Sequence, residues 1–153
     1  MGFHFSLEGL LRLRAALEQV EERALSRLRV EERLLEQEIE QMAALRMRQT
    51  SQRVAAVPGG SLTGADLQFA GFLEARLALE GEKMQQRLRE KREETQRQVN
   101  VFSAVRRRRE AIEALRDRER AAYREAEQQR EQRGLDELFL LQLLRGRGRQ
   151  PRG

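Results

Sequence analysis

From Ser6 to about Val54 the chain carries no proline, and Gly9 is its one glycine. Apolar residues fall at Leu10, Leu13, Leu17, Val20 and Ala24, alternating three and four apart, and Leu28, Leu35, Ile39 and Met42 follow. That alternation predicts the a/d seam of a coiled coil held for several heptads. The step from Ala24 to Leu28 repeats a four-residue interval, which reads as a stutter-like slip. Between these positions lie charged runs such as EQVEER and EERLLEQEIEQ, which supply a solvated face. Ser6 suits an N-cap, and Glu8 is an acid where the helix dipole favours one.

After Pro58-Gly59-Gly60 a second periodic segment begins. Thr63 and Asp66 have the spacing of a capping box, with aspartate in place of glutamate. Leu73, Leu77, Met84, Leu88, Val99, Phe102, Val105, Ile112, Leu115 and Ala122 continue the pattern, and Thr95 fills one seam position. Gly71, Gly81 and Gly134 are soft points inside it. The expected organisation over 1–153 is a single elongated element. Helix 1 occupies about 6–54, a turn about 55–63, helix 2 about 64–144 and a basic tail 145–153.

Two seamed helices joined by a short Pro-Gly turn bury their stripes by packing on each other. The expected fold class is therefore all-α, a long two-helix antiparallel coiled coil, or helical hairpin. With the tip near Ser61, residue i faces roughly residue 122 − i, so Ile39 lies opposite Met84 and Leu10 opposite Ile112. Helix 1 then runs out opposite Arg116. Helix 2 overhangs by about 25 residues, or ~40 Å at 1.5 Å per residue. The overhang contains LDELFLLQLL, an apolar cluster with no intramolecular partner, of the kind that marks a docking site. Phe3 and Phe5 could instead curl over part of it.

Composition supports the narrow architecture. Charged residues make up 36% and aromatic residues 5%, enough apolar material for a seam and too little for a broad core. There is no cysteine, and the lone His4 has no companions at ligand spacing, so no metal site and no cofactor is expected. The sequence has no phosphate-cradling glycine loop and no nucleophile–base pair, so no enzyme is expected. The longest nearly uncharged apolar run, Leu138 to Leu144, is too short for a bilayer, and no membrane insertion is expected. No basic stretch precedes the first apolar residues as in a secretory leader. The net charge of +5 comes from 28 arginines and two lysines against 25 acids. The excess concentrates in Arg106–Arg109 and the RGRGRQPRG tail. Four consecutive arginines point around a helix in four directions, so no single basic stripe forms, and nucleic acid is not an expected partner.

Three stretches carry a family resemblance. The opening FHFSLEGLLRLR, the segment LTGADLQFAGFLEARLALE after the turn, and REAIEALRDRERAAYREAEQQREQRGLDEL farther on together resemble the flagellar export protein FliJ family, in matching order. The resemblance implies a non-catalytic stalk similar to those of rotary ATPases. It would be cytoplasmic and peripherally associated with the inner membrane at the flagellar base. Its implied partners are the flagellar export ATPase hexamer, the cytoplasmic domain of the export-gate membrane protein, and export chaperones.

Carried onto this sequence, the ATPase-contact candidates are Phe3, Phe5, Arg12, Arg116, Arg120, Tyr123, Leu135 and Leu138. The export-gate candidates flank the turn: Met42, Leu45 and Gln49 on helix 1, and Phe69, Phe72, Leu73 and Arg76 on helix 2. Phe69 and Phe72 are three apart, so one is expected to face the seam and the other solvent. The apolar LFLLQLL and the arginine-glycine tail depart from the family's usual pattern. Without the resemblance, the residues support a generic coiled-coil adaptor, or less well a basic nucleic-acid-binding helical protein.

Overall fold

Two helices account for nearly all of the described backbone. In the computed structural model, which describes residues 2–55 and 63–147, α1 spans Glu8–Ala55 and α2 spans Gly64–Arg147. Residues 56–62, most of the expected turn of about 55–63, and 148–153, most of the expected basic tail, fall outside the described residues. α2 extends to Arg147, three residues past the expected end.

Each start has a chemical cause. Thr63 and Asp66 form the expected capping box. The Thr63 N–H donates to Asp66 Oδ2 at 3.1 Å, and the Asp66 N–H donates to Thr63 Oγ1 at 3.3 Å. The Thr63 hydroxyl also donates to Asp66 Oδ2 at 2.5 Å. These bonds to Thr63, side chain first and backbone second, hold the Asp66 carboxyl below its ordinary pKa. At α1 the entry is closed by main chain, the Glu8 N–H donating to the Phe5 carbonyl at 3.3 Å. Glu8 still supplies the acid of the first turn, and pairs with Arg12 at 3.6 Å.

The chain divides into two compact units. Unit 1 comprises Met1–Ala16 with Arg106–Gly153, and unit 2 comprises Leu17–Val105. In unit 2 the two helices run antiparallel. Glu31 pairs with Lys91 at 2.8 Å, Glu36 with Arg92 at 2.8 Å, and Gln98 donates to Glu21 at 2.5 Å, so one number falls as the other rises. The paired numbers total 122, 128 and 119, which brackets the register expected from the turn. The fold is the expected two-helix coiled coil.

Its seam on the first half of α1 is not where apolar counting puts it. In unit 1, Leu10 and Leu13 are exposed, and so are Leu17 and Val20 in unit 2, at 38–56%. Over the first half of α1 the inward positions lie one residue later, at Leu11, Arg14, Glu18, Glu21 and Leu25; from there on the expected Leu28, Leu35, Ile39 and Met42 are inward, joined by Glu32 and Arg46. These alternate three and four without interruption. The stutter expected at Ala24–Leu28 is therefore absent; it marks where the apolar count crosses from an outer stripe to the inner one. Polar seam residues caused the error, because Arg14, Glu18, Glu21 and Glu32 hold positions that a hydrophobic pattern skips.

The seam of α2 is closer to expectation. Leu73, Leu77, Met84, Leu88, Thr95, Val99, Phe102, Val105 and Ile112 are half-buried or buried. Leu115 and Ala122 are exposed, and Arg116 and Tyr123 take the inward places one residue later. A real stutter occurs on this helix, where Leu73, Leu77 and Gly81 follow at two successive four-residue steps. Around it a groove of about 640 Å³ opens in unit 2, with Ile39, Met42, Leu77, Gly81 and Met84 in its lining. A side chain at Gly81 would meet Arg46 Nη1, 3.9 Å from its Cβ.

The core is thin. Among the described residues the buried hydrophobics are Phe5, Leu11, Leu25 and Leu88, at 4–7% exposure. Half-buried apolar residues such as Leu28, Leu35, Val99 and Phe102 fill much of the rest of unit 2, with polar bonds among them: Arg92 also reaches Glu32 at 3.5 Å, and the Thr95 hydroxyl donates to the Lys91 carbonyl at 3.0 Å.

Candidate interaction surfaces

With the seam placed, the outward residues of each unit define what is left to meet a partner. In unit 2, Phe69 and Phe72 are both exposed, at 68% and 69%. The expectation that one of them faces the seam is overturned by Leu73. It takes the inward place next to Phe72, whose own side chain stays exposed. Phe69, Phe72, Arg76 and Leu79 step by three, four and three, which lays them along one outer stripe of α2. Leu79, half exposed, belongs to that stripe and escaped the sequence reading, although its spacing was visible there. On α1, Leu45 and Gln49 are exposed, and Met42 turns into the groove beside Met84. The seven turn-flanking candidates thus separate. Phe69, Phe72, Arg76, Leu45 and Gln49 present outward, while Met42 and Leu73 pack inward and hold the surface in place.

Unit 1 gathers all eight candidates of the other set. The Phe3 ring packs on Tyr123, with centroids 5.7 Å apart and the planes tilted by 53°, and Phe5 is buried. The tyrosine hydroxyl donates to Glu127 at 2.6 Å. That bond, then burial and the Glu127 charge, raise the phenol pKa, and Arg130 partly offsets the rise. The two N-terminal aromatics therefore extend the cover of α2 from Arg116 as far as Tyr123, which shortens the expected overhang. Arg12 and Arg120 are exposed. Arg116 is half-buried in the seam, 3.5 Å from both Glu113 and Asp117. Arg14 and Arg116 each bury an Nε atom that has no hydrogen-bond partner. Arg106 bonds Glu110 at 2.9 Å, and Arg109 bonds Glu113, so two members of the arginine run are tied to acids of their own helix.

Beyond Glu127 every described residue of α2 is exposed. Leu135, Leu138, Phe139, Leu140, Leu141, Leu143 and Leu144 stand in that stretch at 51–67% exposure. They project around the whole circumference of the helix, and such a helix is normally enclosed on several sides. Phe3 and Phe5 do not reach them.

Among the described residues no group of His, Cys, Asp and Glu could hold a metal ion, and no helix is long and apolar enough to cross a membrane. The fold is a helical-hairpin coiled coil with an exposed outer stripe and, in unit 1, an exposed leucine end. The chain belongs to the flagellar FliJ protein family, whose family model matches residues 3–148. No curated protein and no solved structure gives a significant match. The resemblance read in the three stretches is thus family membership, and the family is a non-catalytic component of the flagellar export apparatus.

Proposed function

We propose that this protein is a stalk of the flagellar export apparatus. It binds the export ATPase hexamer through the termini gathered in unit 1, promotes the ring's assembly and activity, and meets the export gate through unit 2. The observation that carries this reading is the leucine end of α2, apolar on every side and uncovered, which suits a segment enclosed by a ring. Phe3 and Tyr123 pack on each other earlier on the same helix. Arg12, Arg120, Leu135 and Leu138 are the residues placed to touch the ring. The outer stripe of Phe69, Phe72 and Arg76, with Leu45 and Gln49, is the surface for the cytoplasmic domain of the gate. Export chaperones are further partners, and the site of action is the cytoplasmic face of the inner membrane at the flagellar base.

The test is an ATPase assay with purified enzyme. Adding the protein raises hydrolysis and oligomerisation, and Arg120→Glu weakens that stimulation without lowering helicity. Arg116→Glu is a poorer probe, because Arg116 lies in the seam beside Glu113 and its reversal also strains the coil. Absence of stimulation by the intact protein, with an active ATPase, counts against the stalk. For the gate, Phe72→Ala reduces binding severalfold and leaves the circular dichroism unchanged. A loss of helicity would return Phe72 to the core.

A further inference from the structure

The last stretch of α2 lies in unit 1 and has a distribution of charge that its leucines alone do not explain. Asp136 and Glu137 precede the apolar run, and Arg145 and Arg147 follow it. At 3.6 residues per turn, Glu137, Leu138, Leu141, Leu144 and Arg145 share one face of the helix. That face is its own complement when reversed. Set against a second copy running antiparallel, with Leu141 opposite Leu141, Leu138 meets Leu144 and Glu137 meets Arg145. Two-fold symmetry makes each of these pairings twice. A parallel alignment instead opposes Glu137 to Glu137 and Arg145 to Arg145. The other side of the helix lacks this property, since the same alignment places Leu135 against Arg147.

We propose that a second copy of this chain occupies the Leu138–Leu141–Leu144 face, paired antiparallel about Leu141. The three leucines, each more than half exposed, offer roughly 300 Å² per copy, against about 800 Å² per partner in a standard stable interface. The dimer is therefore weak and dissociates on dilution, and its charges set orientation more than strength. Pairing covers Leu138, which is itself assigned to the ring, so self-association and ring binding compete. The inference goes beyond the stalk reading and does not depend on it, because its test uses the purified chain alone.

Sedimentation velocity over a wide concentration series should show a sedimentation coefficient that climbs with concentration in the full chain. Glu137→Arg and Arg145→Glu each suppress the climb, and the double exchange restores it. The chain has no cysteine, so L141C offers a clean geometric probe. On oxidation it forms disulfide-linked dimers severalfold faster than L143C, whose side chain lies on the opposite face. None of these changes alters helicity, since the segment has no intramolecular partner to lose. A chain that stays monomeric at every concentration overturns the proposal, and so does a double exchange that restores nothing. Equal crosslinking by L141C and L143C overturns it too, as does capture of the segment by the ATPase while the chain alone remains monomeric.

Discussion

Two stretches of α2 invert the usual relation between polarity and burial. Between Leu88 and Gln98, in unit 2, the helix is covered by α1, and the contacts there are largely charged or amide: Lys91 with Glu31, Arg92 with Glu32 and Glu36, Gln98 with Glu21. Between Leu138 and Leu144, in unit 1, the helix is exposed and apolar at every position but Gln142. A chain selected only for its own stability would distribute these residues the other way. Polar seam residues fix register at some expense of stability. Among the described residues the uncovered leucines have no intramolecular partner, which is the observation on which the docking proposals rest.

The sharpest way to break this comparison is to truncate one leucine from each stretch. Leu88 is among the few buried side chains, and Leu88→Ala should destabilise the fold by about 2–5 kcal/mol. Leu143→Ala removes as many atoms from an exposed position, and should change stability by less than about 0.5 kcal/mol. Thermal unfolding followed by circular dichroism reads both. Comparable losses would mean that the leucine end is covered within the chain, and the docking argument would fall with it.

The same inversion decided what the sequence could disclose. The hairpin architecture was legible because Pro58-Gly59-Gly60 divides two periodic segments, and a seam on each needs a partner. Register followed from the turn's position, and Glu31–Lys91 lands on the expected number. The capping box at Thr63 was legible because it is local. The face of the first half of α1 was not. Leu10, Leu13, Leu17 and Val20 form a better apolar heptad than Leu11, Arg14, Glu18 and Glu21, yet the second set faces α2. Single-helix periodicity ranks stripes by hydrophobicity, whereas burial is settled by the partner helix, whose Lys91 and Gln98 meet acids across the seam. At the candidate surfaces the same limit applies. Phe69 and Phe72 could be nominated from spacing, but their joint exposure depends on Leu73 taking the inward place.

A smaller effect is expected where the seam carries a charge without full compensation. Arg14 occupies an inward position of unit 1 and buries an Nε atom with no hydrogen-bond partner, a situation that costs about 1–3 kcal/mol. Arg14→Leu should therefore raise stability by about 1 kcal/mol, a rare gain for a point substitution. If denaturant unfolding instead shows a loss, the guanidinium is better satisfied than its geometry indicates, and the view of a seam that gives up stability for polarity weakens.

The smallest effect is the most specific to the polar seam. Lys91 lies between Glu31 of α1 and Glu94 of its own helix, at 2.8 and 2.9 Å. Its hydrogen bonds to Glu31 first and Glu94 second raise the ammonium pKa to about 12. The folded state thus binds the Lys91 proton more tightly than the unfolded chain, whose lysines titrate near ~10.4. The sign follows directly. The contribution is fully present below the unfolded value and is lost as pH rises toward about 12. Tyr123 titrates in the same direction in unit 1, its raised phenol losing the proton it donates to Glu127. The two are separable by substitution. Lys91→Met should flatten the alkaline decline in melting temperature over this window, and Tyr123→Phe should remove a different part of it. Because Lys91 keeps solvent access, screening holds the shift to a few degrees at most, and added salt should shrink it further. An alkaline profile unchanged by Lys91→Met would show that the Glu31 bond contributes register alone, leaving Leu25 and Leu88 to hold unit 2 together.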